Sequence, residues 1–198
     1  MSSESTDTKT RILEATWTLM EQGRGQGVKM SDIARAAGIS RQAVYLHFAT
    51  RTELMIATVN YVDEVKGLNE RLNRFKLASN GTELLDACVD VWGNYIPEIY
   101  GLAKALMMTR DSDEATAAAW NGSMACLREV CQEIINTLDD EGQLVPEWPK
   151  AQAVELFMTL ISIQNWEQLT IESGWSKSQY VERMKQLLRH TFVAKVDH

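Results

Sequence analysis

Apolar positions recur every three or four residues along almost the whole chain, and no apolar/polar alternation of useful strand length interrupts them. The pattern predicts an all-α protein. Its first periodic segment runs from about Thr8 to Gln22, with Ile12, Ala15, Thr16, Leu19 and Met20 on one face and Trp17 off that stripe. Residues 29–54 then carry two short apolar sets, Ile33, Ala34, Ala37 and Ile39, Val44, with Gly38 between them. Glycine there permits the left-handed backbone of a tight turn. The small Ala34 and Ala37 let two helices approach, and Ser40 offers a hydroxyl to the free N–H groups of the second one. This is a helix, a turn and a helix. With Val44 and Phe48 facing inward, the second helix presents Arg41, Gln42, Ala43, Tyr45, Leu46 and His47 outside, a surface suited to a major groove.

Thr50-Arg51-Thr52-Glu53 has the form of a capping box and opens a fourth helix predicted to reach about Leu77. Its inward stripe is Leu54, Thr58, Tyr61, Val62, Val65, Leu68 and Leu72, with Gly67 as a soft point. Ser79-Asn80-Gly81-Thr82 reads as a turn, followed by a fifth helix that bends or ends near Pro97 and a sixth to about Thr109. Asp111-Ser112-Asp113 caps a seventh helix ending at Asp139-Asp140-Glu141-Gly142. Pro149 suits the first turn of an eighth helix closed by Gly174, and Ser176 with Gln179 forms a second capping-box pattern opening a ninth, to about Val193. The expected division is three small helices in residues 1–54 and six in a body of residues 55–198.

Composition narrows the function classes. The longest apolar stretch, Leu156 to Ile163, falls well short of a membrane span, and MSSESTDTK is no signal peptide, so a cytoplasmic protein with no membrane partner is expected. The formal net charge is −7, yet residues 28–51 hold Lys29, Arg35, Arg41 and Arg51 against Asp32 alone, a local balance of +3. A basic island in an acidic chain is an electrostatic footprint for phosphate. Cys88, Cys126 and Cys131 are odd in number and lack a C-x-x-C pair, arguing against a disulfide framework or a zinc site. His47, His190 and His198 are too scattered for a metal cluster or a catalytic dyad. No catalytic residues, metal or cofactor are therefore predicted.

The run Ile33-Ala34, Ala37-Gly38-Ile39-Ser40, Tyr45-Leu46-His47-Phe48 and Glu53-Leu54, preceded by Arg11-Ile12-Leu13-Glu14-Ala15 with Leu19 and Gly23, resembles the N-terminal signature of the tetracycline-repressor (TetR) family of bacterial transcription regulators. The likeness covers about a quarter of the chain. Two departures stand out. Lys29 occupies the position where the family commonly has Thr or Ser, leaving Ser31, or Lys29 itself, to reach a phosphate. The connection Gly23-Arg24-Gly25-Gln26-Gly27 is richer in glycine than usual, and a mobile loop is expected there.

The resemblance implies an N-terminal helix-turn-helix DNA-binding domain on a six-helix ligand-binding and dimerisation domain. Its third helix would enter the major groove, with Arg41 and Gln42 at base edges and Ala43 and Leu46 against thymine methyls. Lys29, Ser31, Ser40, Tyr45, His47 and Arg51 complete the expected DNA-binding set, several of them on the backbone; Tyr45 could instead brace the domain, and His47 could cap or pack locally. A homodimer is expected, built from Phe157, Ile161, Asn165, Tyr180, Met184, Leu187 and Leu188, although the same stripes would suit burial within one chain. Trp92, Tyr95, Trp120, Met124 and Trp166 are candidates to line a cavity for an apolar or aromatic effector, and each would equally serve an ordinary core. The function so implied is a regulator, a repressor released from a palindromic operator by that effector. A helical dimeric protein-interaction module, or an enzyme carried by the helical body, are the alternative classes.

Overall fold

In the computed structural model, the structure describes residues 2–23 and 27–194. The centre of the expected mobile loop, residues 24–26, and His198 lie outside the described residues. Among the described residues all regular structure is helical apart from one isolated antiparallel bridge, Leu144 with Val193.

The helices are α1 (Ser2–Gln22), α2 (Met30–Ala36), α3 (Arg41–His47), α4 (Arg51–Val65), α5 (Leu68–Leu72), α6 (Gly81–Thr109), α7 (Glu114–Asp140), α8 (Lys150–Leu160), α9 (Ile163–Glu167) and α10 (Lys177–Phe192). A 3₁₀ turn, Asn73–Leu77, follows α5, and a π turn, Gln168–Glu172, follows α9.

Four boundaries differ from the pattern-based expectation, the first being that α1 begins at Ser2 and not near Thr8. The fourth helix stops at Val65 because Gly67 adopts φ 66°, with its N–H bonded to the Glu64 carbonyl at 3.0 Å; the left-handed residue ends the helix and α5 restarts it. The fifth and sixth helices are one, since α6 runs through Pro97. Proline removes a single N–H, the one that would meet the Gly93 carbonyl, and buried residues on both sides, Tyr95 and Ile96 then Leu102 and Ala103, hold the helix across that gap. The eighth helix breaks after Leu160, where the Ser162 hydroxyl accepts from Asn165 N–H at 3.3 Å and opens α9. The last helix follows expectation: Ser176 Oγ accepts from Gln179 N–H at 3.2 Å while Gln179 Oε1 accepts from Ser176 N–H at 2.9 Å.

The chain forms two compact units. One comprises the residues up to Gly67 together with Ile99–Ser123, the other Leu68–Glu98 together with Met124–His198. The boundaries thus differ from a linear division near residue 54, because α4 packs on α1 and stays with the N-terminal helices. The core of the first unit joins Ile12, Leu13 and Met20 of α1 to Ile33, Val44, Phe48, Leu54 and Val62. The buried hydroxyls Thr16 and Thr58 are satisfied by the carbonyls one turn back, Ile12 and Leu54, each at 2.8 Å. In the second unit Leu85, Val89, Ile134, Ile135 and Leu138 are buried, and Phe192 packs on Phe157 with ring centroids 5.8 Å apart. No helix among the described residues is long and apolar enough to cross a membrane.

Candidate nucleic-acid interface

The geometry of the reading surface starts from its turn. At the end of α2, Gly38 takes φ 68°, its N–H bonds the Arg35 carbonyl at 3.2 Å, and Ile39 N–H bonds the Ala34 carbonyl at 3.0 Å. That pair is a Schellman closure, which fixes the direction in which the chain leaves the helix. Ser40 is extended, and its Oγ accepts from Ala43 N–H at 3.1 Å, so α3 begins at Arg41, three residues after the glycine. Val44 and Phe48 are buried and anchor α3 on its inner side.

On the outer side, Arg41, Gln42, Tyr45 and Leu46 are exposed, and Ala43 and His47 are half-buried. Leu46 has 84% of its surface in solvent, an isolated exposure that nothing in the first unit's core requires. Arg41 leans on Tyr45, its guanidinium 5.7 Å from the ring centroid and Nη2 3.5 Å from the hydroxyl. A stacked guanidinium has fewer orientations to lose on meeting a base edge, so this contact pre-orients the fork. The Lys29 side chain makes no cap on α2; its carbonyl instead accepts from Asp32 and Ile33 N–H at 3.0 and 3.1 Å, leaving its exposed ammonium and the exposed Ser31 on the same helix start.

Arg51, expected on the DNA backbone, has acceptors within the chain. Its Nε and Nη2 donate to the Val28 carbonyl at 3.3 and 3.0 Å, and Nη1 donates to Asp113, which precedes α7. The reason is local: as the first residue of α4, it projects beside the chain entering α2, whose carbonyl needs a donor. Pattern reading also missed Arg11. Its Nη2 donates to the Ala37 carbonyl, and the same atom lies 3.5 Å from where a Cβ on Gly38 would stand, so α1 braces the turn directly. Nothing in the spacing of Arg11 signals a partner so distant in sequence.

The profile of bacterial regulatory proteins of the tetR family matches residues 12–58, the span from the α1 core through the turn to the middle of α4. Over that span the chain is similar to the tetR family. The chain is 28% identical over 74 residues to the nucleoid occlusion factor SlmA of Marinomonas sp. (strain MWYL1), covering 37% of this chain and 36% of that one. It is 24% identical over 109 residues to the HTH-type transcriptional regulator CymR of Pseudomonas putida, covering 55% and 54%. These alignments therefore span about a third to a half of the two curated relatives. The crystal structure of NalD, the secondary repressor of the MexAB-OprM multidrug efflux pump in Pseudomonas aeruginosa, shares the fold with a TM-score of 0.71 at 21% identity, over 96% of this chain and 98% of NalD.

The five candidate effector residues are divided between the two compact units. Trp92 and Tyr95 are neighbours, ring centroids 6.5 Å apart, but the Trp92 indole N–H is spent on the Ile161 carbonyl at 2.5 Å, the acceptor freed where α8 breaks. Tyr95 is buried, with the Arg71 guanidinium 5.5 Å from its ring. Trp120 belongs to the first unit, where the Arg110 guanidinium lies 5.2 Å from its ring; Met124, half-buried, and Trp166, buried, belong to the second. A shallow depression of about 450 Å³ in the second unit is lined by Asn94, Lys177, Ser178, Val181, Glu182 and Lys185, and by none of the five candidates.

The expected dimer residues differ in their exposure within the single chain. Phe157, Ile161, Tyr180, Met184 and Leu188 are all buried within the single chain, serving its own core. Asn165 is half-buried, and its amide donates to the Thr159 carbonyl at 2.7 Å across the break between α8 and α9. Leu187 alone of the seven is exposed. Tyr180 carries a buried hydroxyl with no hydrogen-bond partner among the described residues, and burial, with the neighbouring Cys88 thiol, pushes its ionisation well up.

Proposed function

We propose that this protein is a DNA-binding transcriptional regulator that acts as a homodimer on a palindromic operator and is released by a small apolar or aromatic effector. The observation carrying the reading is the outer face of α3: Arg41, Gln42 and Leu46 exposed on a short helix whose entry is set by the Gly38 turn and the Ser40 cap. Arginine there can donate two hydrogen bonds to guanine, glutamine can bridge adenine, and Ala43 and Leu46 can meet thymine methyls. Lys29, Ser31, Ser40, Tyr45 and His47 serve the phosphates around them, fixing register without reading sequence.

One such module buries little surface, so useful specificity needs two half-sites about 34 Å apart, one helical turn. The first 54 residues read DNA, and residues 55–198 receive the effector and pair the chains. With the five buried stripe residues spoken for, pairing falls to the outer faces of α8 and α10, where Leu187 stands in solvent. Repression is the output favoured by the name of the structural relative NalD, and the effector lowers operator affinity by its preference for one of two states of the body. The protein works in the cytoplasm, and catalysis has no part in this reading.

Selection of bound duplexes from a random pool by the purified protein tests it. The expected result is enrichment of a palindrome with half-sites one turn apart, retained in a salt-dependent manner. Folded protein that enriches no sequence at low salt overturns the proposal.

A further inference from the structure

We infer that Arg51 is a positioning residue that pins the reading helices to the start of α7, and that Asp113 is its partner. The guanidinium joins three segments of the first unit: the chain entering α2 through the Val28 carbonyl, the first turn of α4 from which Arg51 itself projects, and the α6–α7 turn through Asp113. All three of its nitrogens have an intramolecular acceptor. The two side chains keep only 25% and 19% of their surface in solvent, so water screens this pair less than an ordinary surface ion pair.

A DNA phosphate would meet a guanidinium whose charge is already balanced by a carboxylate held at the high effective concentration of an intramolecular partner. The arginine beside the reading head therefore acts on DNA through geometry, not through charge.

Asp113 has a second role that makes the pin informative. Its Oδ1 accepts from Ala115 N–H at 3.1 Å and so caps α7 with the same carboxylate that holds Arg51. The Asp113 carbonyl adds the Thr116 hydroxyl at 2.9 Å. A change in the first turn of α7 must therefore alter the hold on Arg51, and α7 continues to Asp140, contributing Cys131, Ile134, Ile135 and Leu138 to the core of the second unit. The pin is a route by which the state of that helix reaches α2 and α3.

This inference rests on the DNA-binding reading, and the test separates the two. Arg51→Ala, Asp113→Asn and the double variant are compared with the unaltered full chain on the selected operator across a salt series; asparagine retains the helix cap while removing the charge. Each single change is expected to weaken operator binding about tenfold and the double change no further, as for residues acting as a unit. The slope of affinity against salt stays that of the unaltered protein. If Arg51→Ala flattens that slope by about one unit, as loss of a phosphate contact does, or if Asp113→Asn tightens binding, Arg51 is a phosphate contact and the inference fails. Additive losses, or no effect of Asp113→Asn, also overturn it. If the unaltered chain binds no duplex, the failure belongs to the DNA-binding reading; the same variants are then compared in urea unfolding, where purely additive effects sink the pin and non-additive ones sustain it.

Discussion

The α2–α3 segment and the α8–α10 segment both carry apolar residues at helical spacing, and the two stripes have opposite fates at the surface. In α2 and α3 the stripe is narrow, one or two residues per helix turn, and its burial leaves Arg41, Gln42, Tyr45 and Leu46 in solvent. In α8 and α10 the stripe that suits a partner chain is consumed at home, Phe157, Tyr180 and Leu188 being almost fully buried in one chain. Periodicity names the face that leaves water; it does not name what covers it. Polar residues at caps and turns behave differently, because their partners lie within a few residues and the geometry is local.

The strongest challenge to that comparison is Phe157→Ala, which should cost about 3–5 kcal/mol if the ring fills the chain's own core. Urea unfolding should show the loss at every protein concentration, whereas Leu187→Ala should stay within about 0.5 kcal/mol. A Phe157→Ala defect that disappears on raising the concentration would return the stripe to a subunit interface.

On the other side of the comparison, Arg41→Ala should cost about 1–3 kcal/mol on the operator and relax selectivity at one base position. Competition binding with operator variants measures it. Equal losses on operator and random duplex would mean that the exposed face of α3 does not read sequence.

The two serine caps offer a sharper, smaller contrast. Ser40→Ala and Ser176→Ala should each lower stability by about 1 kcal/mol, since both hydroxyls accept an N–H three residues on. Only Ser40→Ala should also weaken operator binding, because only its helix carries the reading face. Comparable operator losses from both would erase the distinction between the segments.

The smallest effect concerns the thiols. Cys88 and Cys131 are buried and Cys126 is exposed, so a thiol reagent should label one cysteine in the native chain and three after unfolding. Burial pushes Cys131 from its ordinary 9.0 up to about 12, and Cys88 in the same direction. The folded state resists their ionisation, so the associated stability is whole below pH 9 and is lost as pH rises from there toward about 12. Unfolding midpoints that stay level across that range would mean the two sites are open to solvent.

Much of the candidate site was legible before any coordinates. Gly38 required a left-handed turn, Ser40 a cap and Val44 an inner face, and each follows from bonds within about five residues. The box at Thr50 was nearly so: Thr50 Oγ1 accepts from Glu53 N–H at 3.0 Å as expected, while Glu53 reaches Ala49 N–H at 2.8 Å, one residue before the cap. The partners of Arg11 and Arg51 were not legible, because these acceptors, Ala37, Val28 and Asp113, lie far along the chain. Trp92 escaped for the same reason, its indole going to a carbonyl exposed only because α8 breaks at Ile161.

Helical class, the turn, the caps and the basic island around α3 are properties of short stretches of residues, where backbone sterics and nearest donors settle the outcome. Tertiary packing settled whether Pro97 ends a helix, which carboxylate takes Arg51, and whether Phe157 faces a partner or its own core. Those questions weigh one lost hydrogen bond, one arginine or one aromatic ring against everything that surrounds it, and the surroundings are assembled from segments that sequence order keeps apart.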